Sequence, residues 1–226
     1  LKKSFYRAVT GSRVLYQNNI STVEALNSIS LNIYRGEKIA LIGHNGSGKS
    51  SFLRLISEIY FPTSGKIYKK VKPYPMLSPS FIVSEVLTGI DSAKAHYLFR
   101  YGNLKGFDDY LNDIVEFSGL GDFIALPIKT YSEGMKSRFI FSILTFDKYE
   151  FLALDEGIGT GDNSFYQKAE KRMREFIANA GTLVFASHSP DLLNKFCSRG
   201  LVFSCGNIVY DGNLNDALNF YAKRNK

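Results

Sequence analysis

The sequence predicts an α/β fold, a mostly parallel sheet accompanied by an antiparallel β patch and a helical subdomain, on three observations. Apolar runs of strand length, KIALIG, FLALD and TLVFAS, alternate with segments whose apolar residues recur at helical spacing. Those runs are nearly continuously apolar rather than alternating, as in strands of a parallel sheet covered on both faces. Between the first run and the helical segment after it stands GHNGSGKS (43–50), a complete G-x-x-x-x-G-K-[ST] pattern in the strand–loop–helix setting that a phosphate-binding loop requires.

Taken in order, SFYRA, RVLYQ and VEALNSISLNIYRG read as short strands and turn-rich loops. KIALIG is the first core strand, and Phe52, Leu53, Ile56 and Ile59 mark one face of the helix after the loop, with Pro62 ending the segment. KIYKKVK (66–72) reads either as a solvated strand edge guarded by charge or as a binding patch. Residues 84–147 turn helical, in SEVLTGIDSAKAHYLFRYG, FDDYLNDIVEFSG and EGMKSRFIFSILTF, and are expected as a helical subdomain inserted within a single domain spanning 1–226. Strands return at EFLALDE and GTLVFASHS, separated by a helix with Phe165, Ala169, Met173 and Phe176 on one face. LVFS and NIVYDG flank Cys205-Gly206 as a hairpin, and LNDALNFYAKR closes the chain as a helix. An antiparallel patch beside the main sheet accounts for both the opening strands and this hairpin.

At 226 residues, with 45% hydrophobic and 22% charged residues, the chain suits a folded domain with a substantial core, and its composition argues against disorder. Its apolar runs fall well short of the roughly 20 residues that span a bilayer, and no secretion signal is visible. Two cysteines, Cys197 and Cys205, make no disulfide framework and match no zinc spacing, which fits a reducing cytoplasm. A net charge of +7 admits an anionic partner, nucleic acid or phospholipid, without choosing one.

The phosphate loop implies a P-loop NTPase core. Gly43, Gly46 and Gly48 let the backbone curl with its amides inward, the helix N-terminus adds positive potential, Lys49 faces the β- and γ-phosphates, and Ser50 ligates Mg²⁺. FLALDE ends an apolar strand on two acids, suited to holding Mg²⁺ through a water (Asp155) and to orienting or deprotonating the attacking water (Glu156). His188 follows TLVFAS at a strand tip, where a parallel sheet brings it to the carboxyl edge shared with the loop and the acids, within reach of a γ-phosphate. TYSEGMKSR (130–138) has a local account: Ser132 caps a helix and Glu133 complements its dipole.

The phosphate loop, TYSEGMKSR, FLALDE and SHS, in this order and at these separations, resemble the nucleotide-binding subunit of ATP-binding cassette (ABC) transporters over nearly the whole chain. PIKTYSEGMKSRF, DEGIGTGDNSFYQKAEKRM and KFCSRGLVFSCGNIVYDG are similar to the branch that exports capsular polysaccharide, O-antigen or teichoic acid. The resemblance implies an ATPase with ATP and Mg²⁺ as cofactors, driving glycan export. It assigns Gly43, His44, Asn45, Gly46, Ser47, Gly48, Lys49, Ser50 and Ser51 to the phosphates, Ser50 and Asp155 to Mg²⁺, and Glu156 and His188 to catalysis. It also implies a homodimer closed around two ATP molecules, in which Ser132 and Gly134 meet the partner's γ-phosphate and Asp162 links the two sites. An aromatic ahead of the loop stacks on adenine; Phe5 matches best and Tyr16 is the rival. An integral membrane permease is the implied partner, no nucleic acid is expected, and the implied place is peripheral, on the cytoplasmic face of the inner membrane. No further C-terminal carbohydrate-binding domain is expected, which suggests export without recognition of a modified chain end.

The chain departs from the family at three points: Glu133 replaces a small signature residue, Met135 replaces the usual glutamine, and the glutamine that contacts Mg²⁺ is missing from YPMLSPSF, near Met76. A carboxylate about 6 Å from a phosphate would cost roughly 3 kcal/mol at an effective dielectric near 20, so Glu133 is expected to point away. Two rival readings, a DNA-repair or chromosome-organising ATPase and a soluble small-molecule kinase, fit less well. The first needs long coiled coils that residues 70–130 lack, and the second leaves TYSEGMKSR and SHS without purpose.

Overall fold

A computed structural model of the chain describes residues 13–17, 20–76, 84–155 and 163–224. The chain divides into two compact units, Leu1–Leu77, Tyr149–Glu156 and Ala180–Lys226 in one, Ser78–Lys148 and Gly157–Asn179 in the other.

The first unit is built on a six-stranded sheet in the order β4-β5-β6-β3-β7-β8. Its strands are β3 (Lys38–Ile42), β4 (Tyr74–Met76), β5 (Phe151–Leu154), β6 (Thr182–Ala186), β7 (Arg199–Ser204) and β8 (Asn207–Asn213). The first five run parallel and β8 antiparallel to β7. Ile39, Leu41, Ala153, Val184 and Leu201 are wholly buried, which is why these strands read as unbroken apolar runs. Phe52, Leu53 and Ile56 of helix α1 (Lys49–Ile56) join this core, with the Phe52 ring centroid 5.4 Å from that of Phe203. Each such large apolar side chain contributes about 1.5–3 kcal/mol on burial. Because the five strands are parallel, the ends of β3, β5 and β6 emerge at one edge, and that edge carries the site.

Two expectations about strands change. β1 (Arg13–Gln17) and β2 (Ile20–Glu24) do form a separate antiparallel pair, but the tail hairpin is no part of it. β7 pairs in parallel with β3 because Leu201, Val202 and Phe203 are buried in the main core, so the hairpin extends the main sheet. Its two-residue turn has positive φ at both Cys205 (48°) and Gly206 (79°), the primed geometry whose twist suits a hairpin. The segment 66–72 forms no strand; Lys69 and Lys72 instead hold Glu58, at 2.8 and 3.4 Å, and Lys69 also donates to Ile56 O.

Helix α1 also stops earlier than Pro62 suggests, leaving Ile59 outside it and 49% exposed. Glu58 adopts φ 60°, Glu58 N donates to Leu55 O (3.1 Å) and Ile59 N to Arg54 O (2.9 Å), the paired bonds of a Schellman ending. A glutamate at the left-handed position hides that stop from propensity.

The second unit is helical: α2 (Gly89–Tyr101), α3 (Phe107–Ser118), two short 3-10 turns (Gly121–Ala125 and Ile128–Thr130), α4 (Glu133–Thr145) and α5 (Asn163–Asn179). Thr88 caps α2 by accepting from Asp91 N, and Gly102 ends it in the left-handed region. Tyr110, Ile114, Ile128, Phe139 and Ile143 form its core. Arg172 of α5 forks onto Asp113 of α3 (3.1 and 2.6 Å) with its guanidinium 4.2 Å over the Phe117 ring. Lys168 donates to the carbonyls of Glu116 and Phe117, complementing the negative end of α3. In the first unit, helices α6 (Pro190–Phe196) and α7 (Leu214–Arg224) complete the chain. No helix among the described residues is long and apolar enough to cross a membrane.

Candidate functional site

A cavity of about 370 Å³ opens at the strand-end edge of the first unit, lined by Val23, Ala25, residues 45–51, Asp155, Ala186 and His188. β3 delivers the chain into the loop at Gly43, and α1 carries it away from Lys49. The loop depends on glycine at two points where a side chain has no room. A Cβ on Gly43 would lie 2.6 Å from Phe203 O and 2.7 Å from Ser47 Oγ; one on Gly48, at φ 113°, would lie 2.8 Å from Ala25 O.

The back of the loop is braced from far along the chain. Gly206 N donates to Ser47 O (2.9 Å) and Asn27 N to Gly206 O (2.8 Å), so the β7–β8 turn and the segment after β2 hold the loop between them. Lys49 is buried at 8% exposure, and its ammonium donates to Gly43 O (2.6 Å) and His44 O (3.1 Å). That keeps a positive charge inside a ring of main-chain groups at a helix N-terminus, an arrangement suited to a polyphosphate. The Ser47 hydroxyl is fully buried without a hydrogen-bond partner in the structure, an orphaned polar atom in the wall of the cavity.

Asp155 follows β5, its amide donating to Met76 O (3.2 Å), and it lines the same cavity as Ser50. A hydroxyl and a carboxylate oxygen in one polar cavity fit a hard cation such as Mg²⁺. His188 lies just past β6 on a turn shaped by Ser189 N donating to Ser187 Oγ (3.1 Å); Ser189 then caps α6, with Pro190 in its first turn. Gly46, Ser47, Gly48, Lys49, Ser50, Ser51, Asn45, Asp155 and His188 are therefore brought together, while Gly43 and His44 support Lys49 from the loop's base.

Other expected residues fall elsewhere. Ser132 and Gly134 open α4 in the second unit: Ser132 Oγ accepts from Met135 N (3.2 Å), the cap that the sequence implies. Glu133 is exposed and pairs with Lys136 at 3.3 Å. Phe5, Glu156 and Asp162 lie outside the described residues; Tyr16 sits in β1 opposite Ser21. Met76 is 4% exposed and packed in the core, while residues 77–81 of YPMLSPSF, the stretch in which the glutamine is expected, lie outside the described residues. Val23 and Ala25 were missed, since neither carries chemistry and only the fold brings them to the cavity. Both cysteines are free, and burial pushes the Cys197 thiol up to about 12, leaving it inert.

Residues 26–159 match the family described as ABC transporter. The O-antigen export system ATP-binding protein RfbE of Yersinia enterocolitica is 38% identical over 200 residues, covering 88% of this chain and 84% of the relative. The teichoic acids export ATP-binding protein TagH of Enterococcus faecalis is 37% identical over 185 residues, covering 82% of this chain; the matched part spans 41% of that protein. Among solved structures, the dimeric structure of MJ0796, a bacterial ABC transporter cassette, aligns with a TM-score of 0.68 at 18% identity, over 90% of this chain and 96% of the other.

Proposed function

The chain belongs to the ABC transporter family, and on that premise we propose that it is the ATP-hydrolysing subunit of an exporter that moves a polysaccharide or related glycan across the inner membrane. The observation that carries this reading is the single cavity holding Lys49, Ser50, Asp155 and His188, in a chain that matches an O-antigen export protein over most of both lengths.

In this reading the amides of residues 43–51 and the Lys49 ammonium bind the triphosphate, with Ser50 and Asp155 placed to hold Mg²⁺, which when bound would neutralise charge on the β- and γ-phosphates. Glu156, directly after Asp155, orients the attacking water and accepts its proton; His188 donates a hydrogen bond to the γ-phosphate and holds that water in line. Ser132 and Gly134, at the amide-rich start of α4, receive the γ-phosphate of a second copy, and Asp162 connects the two sites. Phe5 or Tyr16 stacks on adenine. Two copies close around two ATP molecules, and hydrolysis releases them by removing the bridging γ-phosphates. This cycle drives an integral membrane permease from the cytoplasmic face of the inner membrane, where the chain sits peripherally. The name of the Yersinia relative, an ATP-binding protein of an O-antigen export system, supports the export role, and the dimeric form of the MJ0796 cassette supports the pairing of two copies.

The test is the Glu156→Gln variant with Mg-ATP. Slow hydrolysis with retained binding traps a dimer by light scattering, and adding Lys49→Ala abolishes it. A monomer at saturating Mg-ATP, both alone and beside its membrane partner, overturns the reading.

A further inference from the structure

Glu133 sets a problem for the proposed dimer, since it puts a carboxylate in the first turn of the helix whose N-terminus is to receive a phosphate. The structure contains an answer on the same helix. Lys136, one turn on, lies 3.3 Å from Glu133 Oε1 and 2.9 Å from Glu85 Oε1. Its side chain is only 20% exposed, against 90% for Glu133 and 66% for Glu85, so the lysine is the fixed member. Glu85 is fixed by the main chain: Lys129 N donates to Glu85 O (2.9 Å) and Ile128 N to Leu87 O (2.9 Å). Lys136 N itself donates to Ser132 O (2.9 Å), tying the lysine to the residue that caps the helix.

We propose that Lys136, held by Glu85, is a positioning residue that draws the Glu133 carboxylate along the helix surface and cancels its charge, so that the start of α4 can accept the triphosphate of a second copy. The inference rests on the proposed ATP-bridged dimer and adds to it the device that tolerates an acid in the signature turn. Hydrogen bonds that the ammonium donates to Glu85 and then to Glu133 raise the lysine's pKa, so it remains charged wherever the protein is folded at ordinary pH. Without Lys136 this end of the helix carries two uncompensated carboxylates. A unit charge about 8 Å from a phosphate, at a dielectric between those of protein surface and water, changes binding by about fivefold.

The experiment measures the Mg-ATP concentration at the midpoint of dimerisation, in the Glu156→Gln background, with the melting temperature of each variant as a folding control. Lys136→Met raises the midpoint by about fivefold or more at low salt, the effect shrinking as salt is added. Lys136→Arg stays near the parent, and Glu133→Gln placed on Lys136→Met recovers most of the loss. If Lys136→Met leaves the midpoint unchanged while Ser132→Ala raises it, the inference fails and the ATP-bridged dimer stands. If Lys136→Met weakens dimerisation but Glu133→Gln recovers nothing, the lysine acts by another route and the inference fails. If neither Ser132→Ala nor Lys136→Met has any effect, the placement of α4 in the dimer fails instead.

Discussion

Replacing Gly48 by alanine tests whether the phosphate loop is shaped by backbone close approach. Gly48 and Gly65 both have positive φ, 113° and 80°, so alanine at either costs about 1–2 kcal/mol of backbone strain. They differ in what the new methyl meets. Nothing lies within 4 Å of a Cβ on Gly65, whereas one on Gly48 falls 2.8 Å from Ala25 O, against 3.4 Å for ordinary contact. About 0.6 Å must come from somewhere, and the main-chain oxygen cannot rotate away as a side chain would. Ala25 precedes the Asn27–Gly206–Ser47 hydrogen-bond chain, so the displacement passes into the loop itself. Misplacement on this scale at a site that positions a reacting group costs up to about a hundredfold. Gly65→Ala is therefore expected to lower the melting temperature by about 2–8 °C, at 2–4 °C per kcal/mol, without changing ATP affinity. Gly48→Ala lowers ATP affinity by at least about tenfold, or 1.4 kcal/mol, in titration calorimetry. Equal ATP affinities for the two variants would refute the reasoning.

Two further outcomes follow from local geometry. Cys205→Asn puts the residue best suited to a primed turn at φ 48° and raises the melting temperature by about 1–3 °C; a lower value would show that the thiol packs usefully there. Burial first, and the Arg100 charge second, hold the His96 imidazole below its ordinary value of 6.5, with Asp147 acting in the opposite sense. The unfolded chain then binds a proton that the folded chain resists, so stability present above about pH 6.5 is lost on acidification through the folded value. The urea midpoint is expected to fall between about pH 7 and pH 5, and His96→Gln to flatten that slope; an unchanged slope rules His96 out as the cause.

The chemistry at the strand ends was legible in the sequence because each piece is local. GHNGSGKS needs only its own eight residues and its place between strand and helix, and Asp155 and His188 each end an apolar run whose parallel pairing sends it to the same edge. Less visible were features whose cause lies elsewhere in the chain. The stop of α1 at Ile56 depends on Glu58 in a conformation that propensity disfavours, steadied by Lys69 and Lys72. The tail hairpin reads as antiparallel from its turn alone, and only the burial of Leu201 and Phe203 beside β3 assigns it to the main sheet.

By itself, then, the amino-acid order determined the α/β class, the phosphate-loop pattern and the residues proposed to hold a triphosphate and its cation, because these follow from periodicity and from chemistry within a few neighbouring positions. The tertiary structure alone decided that the Cys205-Gly206 turn braces Ser47, that Val23 and Ala25 wall the cavity, and that Glu85 holds Lys136. Such contacts join residues far apart in the sequence, and they exist only once the packing of each unit has brought those residues within reach of one another.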